Sequence, residues 1–429
     1  MFVPREWVIS EALSGSVTQP PTVQVLPNGI TVIAQRLPGA TVNFSLWMGC
    51  GSQHETDAHN GMAHFLEHMV FKGNERIPLG QFEQRVERVG GMTNAATSQE
   101  YTQFWVTTAP QDFPEVAPLL VDLVLAPGLA AAEFQRERQV VLEEIRRAQD
   151  VPQRRLMQRV MALAFAGLPY ARPVLGSAAV VSQLTPEAMR EFHQQWYSPE
   201  RLTAVVVGDL ALEQLLEVVV PCLVLRQGAN PAPSCPFPDA VGPQVYEEEL
   251  VDEVQQARLV LAWRVPGLRD FRTVCALDAL AMILGQGRTA RLVWELRHER
   301  GWVTGITVQN MSFVHHGLFW IGVQAPLANL PAVQAVIAEH LARLRQEPIG
   351  ATELDHLRRR VASRFIFANE TPAERAGLYG YYQTVLGDIS PGLGYPGTVA
   401  SLSANFLQQV ARTYLTPDRM GQVVMRPRL

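Results

Sequence analysis

Two segments, one in each half of the chain, share one order of residue types, and this self-similarity limits the possible folds more than any other feature of the sequence. Residues 197–207 read YSPERLTAVVV and residues 414–425 read YLTPDRMGQVVM, so that Pro199, Arg201, Val205 and Val206 map onto Pro417, Arg419, Val423 and Val424 at one constant offset (417 − 199 = 218). The same offset sets Leu184 of LTPEAMREFHQQW over Leu402 of LSANFLQQVARTY, each an amphipathic helical pattern leading into a strand. A unit of about 215 residues is therefore duplicated, a period far longer than that of a solenoid repeat.

The length of 429 residues agrees, being too great for one small core. Between Pro231 and Pro243 five prolines fall in thirteen residues, which forbids helix interior and central strand there. The expected division is residues 1–226, a linker at 227–243, and residues 244–429. In the first unit strands are expected at 22–26, 30–36, 42–49 and 101–108, and helices at 58–72, 112–126, 131–149 and 153–166. The expected fold class is α+β, with two homologous domains, each a mostly antiparallel sheet with helices packed on one face.

Charge and cysteine usage narrow the function. Basic residues number 36 and acidic residues 41, a net charge of −5, so no overall positive field exists to hold nucleic acid or an anionic membrane surface. Of the basic residues Lys72 alone is a lysine; the skew toward arginine speaks of genome composition, and no function is drawn from it. Cys50, Cys222, Cys235 and Cys275 are widely spaced with no C-x-x-C pair, which suits free thiols in a reducing compartment. Arg5 and Glu6 interrupt what a signal peptide would need, and no apolar run is long enough for a membrane span. The expectation is a cytoplasmic protein without membrane or nucleic-acid partners.

The segment GMAHFLEHMVFKG places His64 and His68 four residues apart with Glu67 between them, and on a helix these positions share one face. Two imidazoles and a carboxylate then converge, the donor set of a catalytic zinc site, which takes three protein ligands and leaves a position for water. Glu67 is the candidate general base, as in H-E-x-x-H with the order reversed. The competing reading is a solvated face of an amphipathic helix. The helix AAAEFQRERQVVLEEIRRAQD offers a third ligand. Glu137, Val141, Glu144 and Ala148 form an inward stripe, whereas Glu143 lines up with Arg136, Gln139, Arg146 and Arg147 on a solvated face. A carboxylate on an inward stripe is costly to bury unless paired or metal-bound, which selects Glu144 as ligand. Glu137 is then either a catalytic-site carboxylate that orients a ligand histidine or the water, or the partner of a neighbouring arginine.

These residues resemble the pitrilysin and mitochondrial-processing-peptidase family of inverted zincins, whose signature is H-x-x-E-H followed about 76 residues later by a glutamate ligand; here 144 − 68 = 76. The resemblance extends to LPNGITVIAQRLP, GSQHE, HMVFKG ending at Gly73, GGMTNAATSQEYT and VVLEEIRRAQDVP, and covers nearly the whole chain. It implies one Zn2+ per chain on His64, His68 and Glu144, and an edge strand at Asn94, Ala95, Ala96 and Thr97 that binds substrate as an added strand. The second unit resembles the family's companion domain, because LDALAMILGQGRTARL has no histidine or glutamate. His315 and His316, adjacent on an expected strand, would face opposite ways and are read as structural.

The implied function is a zinc endopeptidase acting on peptides or unfolded segments through a metal-bound water activated by Glu67. A non-catalytic scaffold subunit of the same fold and a zinc hydrolase of a non-peptide substrate are the alternatives. LRHERGWVTGI resembles the family's L-R-x-x-x-x-x-x-Y element: Arg297 fits the substrate-binding arginine, but Thr304 stands where the tyrosine is expected. The expected assembly is therefore a heterodimer with a homologous subunit carrying the intact pair, with a homodimer as the alternative.

Overall fold

The computed structural model describes residues 20–224, residue 237 and residues 246–428. Apart from Phe237, the proline-rich linker expected at 227–243 lies outside the described residues, as does Cys235. The first half runs β1 (Thr22–Val25), β2 (Thr31–Arg36), β3 (Val42–Met48), α1 (Met62–Val70), α2 (Gln81–Arg88), β4 (Met92–Thr97), β5 (Thr102–Thr108), α3 (Phe113–Leu125), α4 (Ala131–Asp150), α5 (Pro152–Ala164), α6 (Ala178–Val181), α7 (Pro186–Trp196), β6 (Leu202–Gly208) and α8 (Leu212–Val224). The second half runs β7 (Glu247–Asp252), β8 (Ala257–Pro266), α9 (Phe271–Gly285), a π-helical segment at Val293–Glu299, β9 (Gly305–Ser312), β10 (His316–Ala325), α10 (Leu330–Gln346), α11 (Ala351–Phe367), α12 (Pro372–Leu386), α13 (Ser390–Ala400), α14 (Ala404–Tyr414) and β11 (Met420–Pro427).

The chain is α+β, with two sheets of one topology. The first has the order β1-β2-β6-β3-β5-β4 and the second β7-β11-β8-β10-β9, so that apart from β1 every strand has its counterpart. Both are antiparallel except where the last strand joins: β6 lies parallel to β2, and β11 parallel to β7. The duplicated motif reappears in detail. Helix α7 begins behind Thr185, whose hydroxyl accepts from Ala188 N, and α14 begins behind Ser403, whose hydroxyl accepts from Phe406 N. Each is a hydroxyl N-cap that satisfies an otherwise unpaired helix donor.

Each sheet packs one face on its own helices and the other on a helix from the opposite half. Strands β3 and β6 are buried at every position, with no alternation of exposed and buried residues, because both faces are covered. Phe44, Leu46, Ala204 and Val206 join the core with α1, α3 and α8, whereas Trp47, Val205 and Val207 pack against Ala376 and Tyr379 of α12. Reciprocally, Leu156, Val160 and Ala164 of α5 pack against Val260, Ala262, Val423 and Met425 of the second sheet. The exchange joins the halves through apolar surface.

Helix α1 is shorter than the helix expected at 58–72, because Gly61 sits in the left-handed region at φ +99 and starts it. His315 lies in the turn before β10 rather than on the strand. Neither it nor His316 points into a metal cluster: both rings lie against Phe237, with centroids 4.1 and 5.6 Å away. Among the described residues Cys50 and Cys275 are buried free thiols, and no helix is long and apolar enough to cross a membrane.

Candidate metal centre

Helix α1 carries two of the three donors and α4 the third. Glu55 fixes the start of α1: its carboxylate accepts from Ala63 N at 2.7 Å, from Gly61 N at 2.9 Å and from the Asn60 amide at 2.7 Å. The carboxyl group of Glu55 thus caps the positive end of the ligand helix, and burial raises its pKa to about 7 against these hydrogen bonds. A side chain at position 61 would meet Leu175 O at 2.8 Å, so Gly61 is required by close packing as well as by its dihedral angle. The motif reading did not find the role of Glu55; its only signal was a glutamate within GSQHE, a few residues before the helix.

Ligand-type atoms of His64, His68 and Glu144 lie within 4.8 Å of one another, the one such group among the described residues. Glu144 Oε2 is 3.5 Å from His64 Nε2 and 3.5 Å from His68 Nε2. Two ligands about 2.05 Å from a tetrahedral metal ion stand roughly 3.3 Å apart, so these separations fit a zinc-sized ion. Glu144 Oε2 and His64 Nδ1 are both buried without a hydrogen-bond partner. For a carboxylate oxygen this is costly unless a cation binds it, so the donor set fits a metal. Burial, and then the nearby charge of His68, lower the His64 pKa to about 4, which leaves the neutral imidazole that ligation requires.

Glu143 behaves differently, pairing at the surface with Arg146 at 2.8 Å and Arg147 at 2.9 Å. Glu137 is buried on the stripe it shares with Glu144. One of its oxygens lies 2.9 Å from His68 Nδ1 and the other 2.7 Å from the Lys72 ammonium, so its ion-pair partner is Lys72 and not an arginine of its own helix. Burial pushes its carboxyl up, but Lys72 and His68 outweigh that and hold it below the usual range.

Glu67 accepts from Thr97 Oγ1 at 2.6 Å. Its burial raises the pKa against the opposing effects of Thr97 and His68. Thr97 ends β4, the edge strand of the first sheet, so the free edge carrying Asn94, Ala95 and Ala96 runs directly into the cluster. Asn94 and Ala96 are on the exposed side of that edge. The sequence had marked Thr97 only as part of this strand, and its contact with Glu67 required the fold.

Arg297 is not among the contacts of the cluster; it is exposed on the π-helical segment of the second half. The Thr304 hydroxyl bonds to Gln256 Oε1 at 2.6 Å and to Gln324 O at 3.2 Å, both in its own half.

Residues 31–178 match the family model described as insulinase (peptidase family M16), and residues 183–361 match the one described as the peptidase M16 inactive domain. The chain is similar to the zinc protease PqqE of Helicobacter pylori, with 28% identity over 94% of this chain and 92% of that one. It is 30% identical to an uncharacterized zinc protease of Mycobacterium leprae, over 76% of this chain and 74% of that one. The crystal structure of a protease from Helicobacter pylori superposes with TM-score 0.88 at 26% identity, covering 95% of this chain and all (100%) of that one. The crystal structure of a peptidase M16 inactive domain from Pseudomonas fluorescens shares the fold, with TM-score 0.86 at 20% identity over 96% of this chain and 98% of that one.

Proposed function

The chain belongs to the M16 peptidase family of inverted zincins, and on that premise we propose that it is a zinc-dependent endopeptidase in which His64, His68 and Glu144 hold the metal and Glu67 is the general base. The observation that carries this reading is the buried Glu144 Oε2, unpaired and 3.5 Å from both histidine Nε2 atoms, with Glu67 on the same helix face. Bound there, zinc supplies Lewis-acid polarisation of a scissile carbonyl and acidifies a water. Glu67 takes that water's proton and passes it to the departing amine. Burial raises its pKa, which makes it a stronger proton acceptor than an ordinary exposed carboxylate. Thr97 holds the Glu67 carboxylate through its hydroxyl, which donates to Oε2. Glu137 accepts the Nδ1 proton of His68 and thereby presents Nε2 to the metal.

The free edge of β4 supports peptides as the substrate class. An extended segment pairing with Asn94, Ala95 and Ala96 would be held through its backbone and carried toward Glu67, with side chains loosely specified. This favours peptides or unfolded segments over a non-peptide substrate. The complete donor set disfavours a scaffold role.

We also propose that the active assembly is a heterodimer whose second, homologous subunit supplies the arginine and tyrosine that this chain has as Arg297 and Thr304. The engagement of the Thr304 hydroxyl within its own half supports this reading. One experiment tests both parts: metal analysis of the purified chain, followed by cleavage of a quenched-peptide library with and without the homologous subunit. One zinc per chain, with turnover appearing when the partner is added, is expected. A chain that takes up no zinc would refute the first proposal, and robust turnover by the isolated chain would refute the second.

A further inference from the structure

Lysine occurs once in this sequence, at position 72, among 36 basic residues. That one lysine lies 2.7 Å from Glu137 Oε2, and the other oxygen of Glu137 lies 2.9 Å from His68 Nδ1. We propose that Lys72 is a positioning residue of the metal centre, acting through Glu137 on His68. The proposal rests on the metallopeptidase reading.

Three observations carry it. The first is charge. Glu67, Glu137 and Glu144 bring three negative charges around two neutral imidazoles, so a divalent ion leaves the group at −1 and Lys72 brings it to zero. Among the ion pairs of the described residues, Lys72 is the one permanent cation that touches these carboxylates. Excess negative charge would blunt the Lewis acidity of a bound metal.

The second is orientation. A carboxylate held at both oxygens cannot rotate, so the Lys72 contact fixes the Glu137 oxygen that accepts from His68, and hence the His68 tautomer with Nε2 toward Glu144. The third is the frame behind Lys72. Its backbone N donates to Met69 O at 3.1 Å, directly after the ligand helix. Gly73 follows at φ +81, where a Cβ would meet Ile77 O at 2.5 Å, and Gly73 O accepts from Gly128 N at 2.9 Å. With the Cα held on both sides, the distance to Glu137 suits a compact ammonium, whereas a guanidinium is longer, planar and forked. In a chain that otherwise uses arginine throughout, this is a position where the shape of lysine fits better than that of arginine.

The test uses the full chain, with its homologous partner wherever turnover needs one, as native protein and as Lys72→Met, Lys72→Arg, Glu137→Gln and the Lys72→Met/Glu137→Gln double variant. Three quantities are measured: kcat and KM on a quenched peptide, the visible absorption spectrum of the Co2+-substituted chain, and the melting temperature of the metal-free chain. Lys72→Met is expected to keep its metal, lose about 10- to 100-fold in kcat with KM little changed, and shift the Co2+ bands, with the metal-free melting temperature unchanged. In the Glu137→Gln background the same substitution is expected to have little further effect. Lys72→Arg is expected to fall between native and Lys72→Met in both kcat and spectrum, which also keeps the test decisive if the methionine variant fails to fold. Unchanged kcat and Co2+ bands in Lys72→Met, or an equal loss with and without Glu137, would overturn the proposal. So would a Lys72→Arg variant that matches native or is no better than Lys72→Met. A native chain that binds no metal would instead refute the underlying function.

Discussion

Arg364 stands on α11 at the position that Glu144 holds on α4. The two helices have corresponding N-caps at Ala130 and Gly350 (350 − 130 = 220), and the pairs Leu129/Ile349, Phe134/Leu354 and Val141/Val361 are all buried in register. The next helices begin with Pro152 and Pro372 at the same offset. Leu357 accordingly replaces Glu137, and a guanidinium replaces the metal-facing carboxylate. A second register agrees: Thr97 pairs across the sheet through Thr102 and Met48 to Leu202, as Asn310 does through Phe319 and Trp263 to Met420, the repeat counterpart of Leu202 (420 − 202 = 218). Asn310 donates to Asp278 at 2.9 Å as Thr97 donates to Glu67 at 2.6 Å. The second half therefore keeps a carboxylate that accepts from the strand counterpart of Thr97, while a cation stands at the helix position of the third ligand.

This contrast makes Glu144→Gln a sharp test. Removing the charge of the third donor should weaken zinc retention by well over tenfold, while Glu143→Gln, which breaks only exposed pairs with Arg146 and Arg147, should leave it unchanged. Competition with a chelating indicator measures both. Equal losses would mean that the wrong carboxylate has been assigned.

Glu67→Gln separates chemistry from binding. The amide keeps the size of the side chain and its contact with Thr97 but cannot take a proton, so peptide hydrolysis should fall by about 10²- to 10⁴-fold with one zinc still bound. Metal content and turnover are measured on the same sample, and loss of zinc would remove Glu67 from the role of base.

Much of this site was legible because its chemistry is periodic. The close spacings of His64, Glu67 and His68 lie within one short helix, and the stripe set Glu144 on the side of the histidines, although its side chain, 44% exposed against 41% for Glu143, is no more buried than its neighbour's. Contacts made between elements were not legible. The Thr97–Glu67 and Lys72–Glu137 pairs each join side chains from separate elements that lie well apart in the chain. Helix α2 was not among the expected elements, although Phe82 and Val86, four residues apart, share its one buried face. The exchange of α5 and α12 was hidden for another reason: an amphipathic pattern marks a face to be buried but not the sheet that buries it.

Glu100 predicts how stability follows pH. It sits in the β4–β5 turn, accepts from Tyr170 OH at 2.5 Å, and accepts from Val314 N of the second half at 2.8 Å. Burial raises its carboxyl from 4.5 to about 7, against those two hydrogen bonds. The folded chain therefore holds this proton more tightly than the unfolded chain, so the contribution is complete below about pH 4.5 and is lost as pH rises through about 7. The shift corresponds to on the order of 3 kcal/mol. Melting temperatures of native chain and Glu100→Gln across this range should diverge, the native falling relative to the variant as pH rises. Parallel curves would show that Glu100 does not titrate in this window.

Gly380→Ala tests the exchanged helices. Gly380 is where α12 crosses β3, and a Cβ there would lie 2.1 Å from Nε1 of Trp47, far inside van der Waals contact. The indole has little room to move aside: it is 3% exposed, its Nε1 donates to Ser45 Oγ at 2.9 Å, and its other neighbours include Tyr101 at a ring-centroid distance of 5.1 Å. Alanine would otherwise favour the helix by about 1 kcal/mol over glycine, so local propensity and packing predict opposite signs. Overpacking a rigid site costs about 1–3 kcal/mol and here should win. Thermal or denaturant unfolding of the metal-free chain should therefore show Gly380→Ala destabilised, while Gly377→Ala, where a Cβ meets nothing within 4 Å, should be neutral or stabilising. If both alanines stabilise alike, α12 is not seated on Trp47 in solution, and the union of the two halves through exchanged helices would have to be abandoned.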